Sequence, residues 1–358
     1  MKNQIIELGI TDRERALASE YPDLFIGRVV AQYKGQYQVT TSETTMASVL
    51  SGKLRHQTTS SENLPAVGDF VLLDRNLGDF GKGIIHKILP RKSAFIRMAA
   101  GTSQQKQVVA TNIDFVFLCM ALNNDFNLRR LERYLSVAWD SGAMPVVVLT
   151  KADLCENVED KRIEVERIAP GVDVLITSTF MKDGIVPLLP YLRSEKTVAF
   201  IGSSGVGKST LINDLLGKSE MATKETRKDD KGRHTTTHRE LLWTPYGGAV
   251  IDTPGMRELG VDGINSEKSF SDILKLSKKC RFSDCLHETE PGCAVQAAIE
   301  DGSLEEARLA SFKKLKKEAS YNGLNSKQIE KRKIDDMFQD FGGLKNARNY
   351  IKNKNKRK

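Results

Sequence analysis

The chain has no apolar run approaching the roughly 20 residues that a membrane-spanning helix needs, although 40% of its 358 residues are hydrophobic. Its beginning carries Lys2, Glu7, Asp12, Arg13, Glu14 and Arg15, too much charge for the apolar centre of a secretory signal. Both absences point to a cytoplasmic chain. Cysteine is scarce, with five in all, and three of these fall between positions 280 and 293. Pairing among those three would leave one thiol over, which argues against disulfides in a cytoplasmic chain. Acidic residues are missing from the end of the sequence. Residues 341–358 hold seven Lys/Arg and no Asp or Glu, and residues 311–358 hold 15 against 5. The rest, with 39 basic and 41 acidic residues, is near neutral, so the net charge of +8 resides at one end. A block of like charge is commonly a solvated tail. A basic end on a neutral body is also the footprint of phosphate neutralisation, and we read it as an RNA contact.

What is present divides the chain into three. After a polar opening of 24 residues with room for a short helix come five strand-like runs, 25–31, 36–41, 46–50, 69–73 and 83–89, punctuated by Gly35, Gly52 and Gly68. Their spacing predicts an OB-type β-barrel that, with its N-terminal extension, spans residues 1–100. A small β-domain used only for packing has the same pattern. Lys53, Arg55, Lys87, Arg91 and Lys92 are candidates to line an oligonucleotide-binding surface, and residues 101–107 read as a linker. His56 and His86 read as surface or hydrogen-bonded structural histidines. From Asn112 the pattern becomes α/β: 113–120 is a buried-type strand, and Leu128, Leu131, Leu135 and Ala138 recur at helical spacing. The alternation continues to Glu258, interrupted by the long polar segment 219–240, whose length suits a functional or disordered loop. This central domain is placed at 101–268. Residues 269–358 form a third module, where Ser303 and Glu306 suggest a capping box opening a helix with Leu304, Phe312 and Leu315 on its apolar face.

The central domain carries the chemistry. Gly202-Ser203-Ser204-Gly205-Val206-Gly207-Lys208-Ser209 follows the apolar run 197–201 and opens the helix-like segment 210–216, beginning at Thr210. In that strand–loop–helix context it is a P-loop: glycines let backbone N–H groups curl around phosphate, Lys208 neutralises charge, and Ser209 offers a hydroxyl to Mg²⁺. Thr150-Lys151-Ala152-Asp153 ends the apolar run 145–149, where a strand delivers it to the ligand edge of a parallel sheet. An aspartate there can accept both the ring N–H and the exocyclic amine of guanine, a donor pair that adenine lacks, while the lysine stem covers the flat face of the base. GTPases usually begin this motif with asparagine. Thr150 departs from that, and its hydroxyl replaces part of the bracing. Thr177-Ser178, after the strand-like 172–176, fits the loop that supports the base. Asp252-Thr253-Pro254-Gly255 follows the apolar 249–251; Asp252 would reach Mg²⁺ through water and the Gly255 N–H would meet the γ-phosphate. Thr235, Thr236 and Thr237 supply a hydroxyl for Mg²⁺, and the sequence does not choose among them.

Common small GTPases run P-loop, switch threonine, Asp-x-x-Gly, base motif, supporting loop. Here the base motif and its supporting loop come first. The order is a circular permutation, tolerated because the termini of compact domains lie close together. With the run Gly232-Arg233-His234-Thr235-Thr236-Thr237, the barrel-like segment and a following Cys/His cluster, the chain resembles the ribosome small-subunit-dependent GTPases of the RsgA/YjeQ type over residues 25–320. The resemblance implies a multidomain α/β protein: an OB-type barrel, a circularly permuted P-loop GTPase domain, and a C-terminal zinc-binding helical module. It implies GTP and GDP as ligands, Mg²⁺, a late role in small-subunit maturation, and the small ribosomal subunit with its rRNA as partner, with no membrane and a monomeric protein.

Cys280, Cys285, His287 and Cys293 match the zinc ligands of that family. Three thiolates and an imidazole make a closed, structural set, although the spacing contains no CxxC pair. Cys119 reads as a core residue and Cys155 as incidental. Met256 stands where many GTPases place a water-orienting glutamine, so unassisted turnover is expected to be slow. His234 is the candidate replacement as catalytic base, with contact to a partner or solvent as its other reading, and His238 is a weaker candidate. Two other readings remain open on the residues alone: a nucleic-acid-dependent P-loop ATPase, and a GTP-sensing RNA tether with negligible turnover.

Overall fold

The computed structural model describes residues 8–33, 35–58, 60–78, 81–98, 106–181, 183–193, 195–217, 240–252, 266–321, 324, 326–338 and 346. The polar opening folds as helix α1 (Asp12–Ser19), where the Glu14 carboxylate reaches back to accept the Thr11 N–H at 3.0 Å. Five strands follow: β1 (Phe25–Tyr33), β2 (Gln36–Thr40), β3 (Thr45–Leu50), β4 (Phe70–Leu73) and β5 (Gly83–Ile88), with the short helix α2 (Gly52–Gln57) after β3. They pair in the order β1-β2-β3-β5-β4, and β4 returns to β1, so the ribbon closes. Only the β3–β5 pairing is parallel. The result is an OB-type barrel, filled by Val29, Tyr37, Val39, Val71, Leu73 and Ile85.

On either side of the expected linker the strands β6 (Ala94–Met98) and β7 (Lys106–Thr111) pair antiparallel, and β7 takes in its last two residues, 106 and 107. Residues 101–105 lie outside the described residues. Phe95, Val109 and Ala110 carry the strand pair into the central hydrophobic core.

The central domain contains β8 (Phe115–Ala121), α3 (Leu128–Ser141), β9 (Met144–Thr150), α4 (Val158–Ile168), β10 (Asp173–Ile176), β11 (Thr197–Gly202), α5 (Lys208–Leu216), β12 (Glu240–Trp243) and β13 (Ala249–Asp252). Its strands lie in the order β10-β9-β8-β11-β13-β12, all parallel except β12. Both faces of the parallel strands are covered, as such sheets require. Leu118, Leu149 and Ile201 face α3 and α4, while Phe117, Val148 and Phe200 face α5 and the residues Leu188 and Leu192. Cys119 is among the buried residues, and burial pushes its thiol up to about 12, as befits a core residue.

Barrel and central sheet join through the pair Ala31↔Glu240 of β1 and β12. Beside that seam lies Arg28, 1% exposed. Its guanidinium donates to the carbonyls of Leu8 at 3.0 Å and Gly68 at 3.4 Å and to the Thr197 hydroxyl at 2.6 Å, and it lies against the rings of Phe70 and Trp243. Burial lowers its pKa to about 10 against the pull of Asp114, Glu14 and Asp69, so it stays charged at neutral pH. One side chain thus pins the N-terminal segment, the barrel and the central sheet together.

The third module packs α7 (Ser271–Ser277), α8 (Ala294–Glu300) and α9 (Glu306–Ala319) onto α3, preceded by α6 (Ser266–Ser269) and followed by α10 (Ser326–Met337). Phe270, Val295, Leu309, Phe312 and Leu315 share one core with Leu131 and Leu135 of α3. Arg308, 4% exposed, donates to Glu132 of α3 at 2.9 Å and to both oxygens of Asp272 at 2.6 and 2.9 Å. The Ser303–Glu306 capping box does not form: Glu305 is the N-cap of α9, and the Ser303 hydroxyl donates instead to the Ala298 carbonyl at 3.2 Å. The turn out of α8 has claimed that hydroxyl first. Among the described residues no helix is long and apolar enough to cross a membrane.

Gly68 tests the seam. It has φ +97, and a Cβ there would sit 2.2 Å from the Thr111 carbonyl oxygen. Gly68→Ala is expected to cost about 3 kcal/mol, read as a lower urea midpoint.

Candidate nucleotide site and metal centre

β8, β9, β10, β11 and β13 end on one edge of the sheet. The chain moves outward from β8 to β10, returns to form β11 beside β8, then moves outward on the other side to β13. The gap between β8 and β11 is therefore a topological switch point, the place where open sheets of this type bind ligands. Residues 202–209 occupy it. Gly202 ends β11 and Lys208 begins α5, with the turn Ser203, Ser204, Gly205, Val206, Gly207 between them. Val206 is buried; Ser204, Gly205 and Ser209 are open to solvent, and Thr210 is half-buried. Lys208 Nζ donates to the carbonyls of Gly202 at 2.7 Å and Ser203 at 2.6 Å, which holds the ammonium over the turn. Exposed N–H groups at a helix start beside an ammonium make an anion site.

The base motif lies beside this turn. Thr150, 3% exposed at the end of β9, donates its hydroxyl to the Val206 carbonyl at 2.6 Å. Lys151 takes the left-handed conformation at φ 59, uncommon for a residue with a Cβ. The turn is held by the Ala152 N–H on the Thr177 carbonyl at 3.2 Å and by the Thr177 N–H on the Leu149 carbonyl at 2.8 Å. Ser178 is buried and donates its hydroxyl to Asp153 Oδ1 at 2.5 Å, while Asp153 itself is exposed. Asp252, half-buried, ends β13 next to β11. Thr150 to Asp153, Thr177, Ser178, residues 202–210 and Asp252 therefore share one sheet edge. His234, Thr235, Thr236, Thr237, His238, Gly255 and Met256 lie outside the described residues.

Sequence reasoning missed Asp125. It sits in the loop after β8, across the gap, and accepts hydrogen bonds from the Ser203 hydroxyl and from Arg130 at 2.7 Å. Burial disfavours its charge, yet these donors outweigh that and hold the carboxyl below its usual range. No motif marks this loop; only the strand order brings it to the P-loop.

The basic residues assigned to the barrel surface divide. Lys53, Arg55 and His56 of α2 are exposed, as is His86. Arg91 is spent on Asp69 (2.7 and 2.8 Å) and on the carbonyls of Glu62 and Leu64 (both 2.8 Å). Lys92 pairs with Asp114 at 2.8 Å, and Lys87 is bonded to Tyr21. Arg91 thus braces the barrel itself and Lys92 the join to the central domain, because buried or half-buried carboxylates outcompete solvent for them.

In the third module the ligand atoms of Cys280, Cys285, His287 and Cys293 all lie within 4.8 Å of one another. Cys280 Sγ is 3.9 Å from Cys293 Sγ, and His287 Nδ1 is 3.6 and 3.4 Å from those two sulfurs. Bond lengths around a tetrahedral zinc-sized ion give edges of about 3.8 Å for S···S and about 3.6 Å for S···N. The donors fit. The imidazole tautomer is fixed as well: the Ser277 hydroxyl donates to the Ile273 carbonyl at 2.8 Å and so must accept from His287 Nε2 at 2.9 Å. The lone pair is left on Nδ1, facing the sulfurs. Burial, with Lys313 nearby and against Glu290, lowers the His287 pKa and favours the neutral, ligating form. Glu290 pins the ligand loop by accepting the N–H groups of Glu288 (2.8 Å) and Leu286 (2.7 Å), which pulls its carboxyl down to about 2.

A phosphate loop and a guanine-type base loop meeting on one edge, with the base loop first in the chain, define a circularly permuted GTPase carrying an OB-type barrel and a Cys₃His module. The RsgA GTPase family matches residues 88–262. The small ribosomal subunit biogenesis GTPase RsgA 2 of Lactiplantibacillus plantarum is 46% identical over 97% of this chain and 98% of its own length. The small ribosomal subunit biogenesis GTPase RsgA of Opitutus terrae is 47% identical over 82% and 83%. Among solved structures, YjeQ from Thermotoga maritima superposes with a TM-score of 0.62 at 29% identity, covering 83% of this chain and 98% of that one. YloQ, described as a circularly permuted GTPase, superposes at 0.59 with 26% identity, over 83% and 95%. The chain belongs to the RsgA GTPase family.

Ser277→Ala removes the acceptor that fixes the His287 tautomer. Metal affinity should fall about tenfold, measured by chelator competition with the folded protein.

Proposed function

We propose that this protein hydrolyses GTP on the sheet edge described above and couples that hydrolysis to late maturation of the small ribosomal subunit, as a monomer in the cytoplasm. The observation that carries the reading is the convergence of Asp153, Ser178 and Lys208 on one edge although the chain presents them in permuted order. Asp153, oriented by Ser178, would take the two guanine donors, with the Lys151 stem against the base. The N–H groups of residues 203–210 and the Lys208 ammonium would take the phosphates. Ser209, at the start of α5, and Asp252, on the adjacent strand, are oxygen donors suited to Mg²⁺. One of Thr235, Thr236 and Thr237 and the Gly255 N–H would complete the γ-phosphate side. When bound, the cation supplies charge neutralisation on the phosphates.

Positioning the attacking water is the missing step, because Met256 cannot accept a hydrogen bond from it. We assign that role to His234, whose imidazole can take the water's proton near neutral pH, and we assign completion of the site to contact with the small subunit. The exposed Lys53 and Arg55 and the basic C-terminal end would contact rRNA phosphates. Cys280, Cys285, His287 and Cys293 would hold one structural zinc ion, supported by the tetrahedral edge lengths; with four protein ligands no position stays open for chemistry.

Three outcomes test this. Asp153→Asn should lose at least tenfold in GDP affinity and gain affinity for xanthosine diphosphate, whose C2 carbonyl suits the amide donor; unchanged GDP binding by calorimetry would refute the base assignment. Added small subunits should raise GTP turnover, and His234→Ala should abolish that rise; equal stimulated turnover removes His234 from the mechanism. Elemental analysis should find about one zinc per chain.

A further inference from the structure

Phe180 is the most exposed of the large apolar side chains among the described residues, at 87%. Its place is unusual for such a residue. The Met181 N–H donates to the Ser178 carbonyl at 3.3 Å, so residues 178–181 form a β-turn with Thr179 and Phe180 at its tip. The turn is tight. A Cβ on Gly184 would lie 1.7 Å from the Ser178 carbonyl oxygen, and the Gly184 N–H closes on the Met181 carbonyl at 3.1 Å. Phe180 belongs to none of the hydrophobic clusters of the described residues, so packing gives no reason for an aromatic ring here.

The hydrogen bonding gives one. The Ser178 hydroxyl accepts the Phe180 N–H at 3.2 Å and donates to Asp153 Oδ1 at 2.5 Å. The backbone of Phe180 and the carboxylate of Asp153 are therefore one hydroxyl apart, and a planar base bonded to Asp153 falls within reach of the ring. Lys151, two residues before Asp153, has its backbone in the left-handed conformation.

Resting on the reading of Asp153 as the guanine acceptor, we propose that Phe180 is a base-binding determinant. Its ring closes over the face of the purine opposite the Lys151 stem and stacks on it. The ring then exchanges water for a flat aromatic partner, and the sandwich excludes water from the hydrogen bonds to Asp153. Because the contact is with the base, it strengthens GDP, GTP and GMP by the same factor. This separates it from every contact made by the P-loop.

The test is calorimetric titration of the full chain with GDP, GMP and a non-hydrolysable GTP analogue, for the wild type, Phe180→Ala, Phe180→Leu, Phe180→Trp and Asp153→Asn. An exposed turn-tip residue is not needed for folding, and an unchanged thermal midpoint confirms that. Phe180→Ala is expected to raise Kd roughly tenfold for all three nucleotides. Phe180→Leu should recover little of this, whereas Phe180→Trp should recover it and change indole emission on GDP addition. If Phe180→Ala binds GDP within twofold of wild type while Asp153→Asn loses it, the stacking role is wrong and the base site stands. If Asp153→Asn also binds GDP normally, the base site itself is misplaced and the inference falls with it. A Phe180→Ala effect confined to the GTP analogue overturns it too, since a base contact cannot sense the γ-phosphate.

Discussion

One hydrogen bond sets the spacing of the candidate nucleotide site: the Thr150 hydroxyl on the Val206 carbonyl, 2.6 Å long and buried at both ends. It ties the turn that presents Asp153 to the turn that presents Lys208. Both groups are out of water, so an unmade bond would cost the desolvation of a carbonyl, about 1–3 kcal/mol. A threonine can replace the customary asparagine because the requirement at this point is a single short donor aimed along the sheet edge. The second end of the ruler is kept by Ser178, whose hydroxyl fixes Asp153 from below. The geometry of the proposed nucleotide edge thus rests on two buried hydroxyls and the register of three parallel strands.

How much of this was legible in the sequence follows from what each feature depends on. The P-loop, the base motif and the Cys/His set are local patterns whose chemistry needs neighbours in sequence, and they could be read directly. The five barrel strands were legible too, because turn glycines and alternating burial leave a mark at short range. Asp125 and Phe180 were not. Asp125 matters only because β8 and β11 are neighbours in the sheet, a fact of topology that residues 121–126 do not encode. No sequence pattern singles out Phe180; its exposure is visible only in the fold. Charge was the poorest guide: Arg91 and Lys92 look like nucleic-acid ligands in composition, yet Asp69 and Asp114, distant in sequence, hold them. The hairpin β6–β7 was lost for the same reason, since its burial is supplied by the domain it packs against.

The C-terminal module is fastened to the site by two routes, and the permutation creates this arrangement. Along the chain, β13 ends in Asp252 and leads toward the module. Through space, the module packs on α3, whose preceding loop carries Asp125 against Ser203 of the P-loop. The second fastening is ionic and buried: Arg308 of α9 bridges Glu132 of α3 and Asp272 of α7. In an unpermuted domain the segment after Asp252 would run on into further strands of the same sheet. Here the strand that ends beside the P-loop and the helix flanking it both report to one module.

That arrangement has an energetic consequence. The ion network is directional and poorly tolerant of a shifted register, because Glu132 and Arg308 are both nearly out of water, where an unpaired charge is costly. Glu132 Oε2 and Ser269 Oγ, buried at this contact, have no hydrogen-bond partner among the described residues, so the contact carries polar groups that a purely apolar interface would avoid. A greasy seam between α3 and the module would tolerate sliding in small steps. A charged one favours a single seating and penalises intermediate positions, which suits a joint between a GTPase domain and a module that carries a Cys₃His cluster. An ion held by the Cys₃His set would stiffen that module without a large core of its own, and its core is in fact shared with α3. The module's rigidity is local, its seating is ionic, and its link to the nucleotide passes through the same helix.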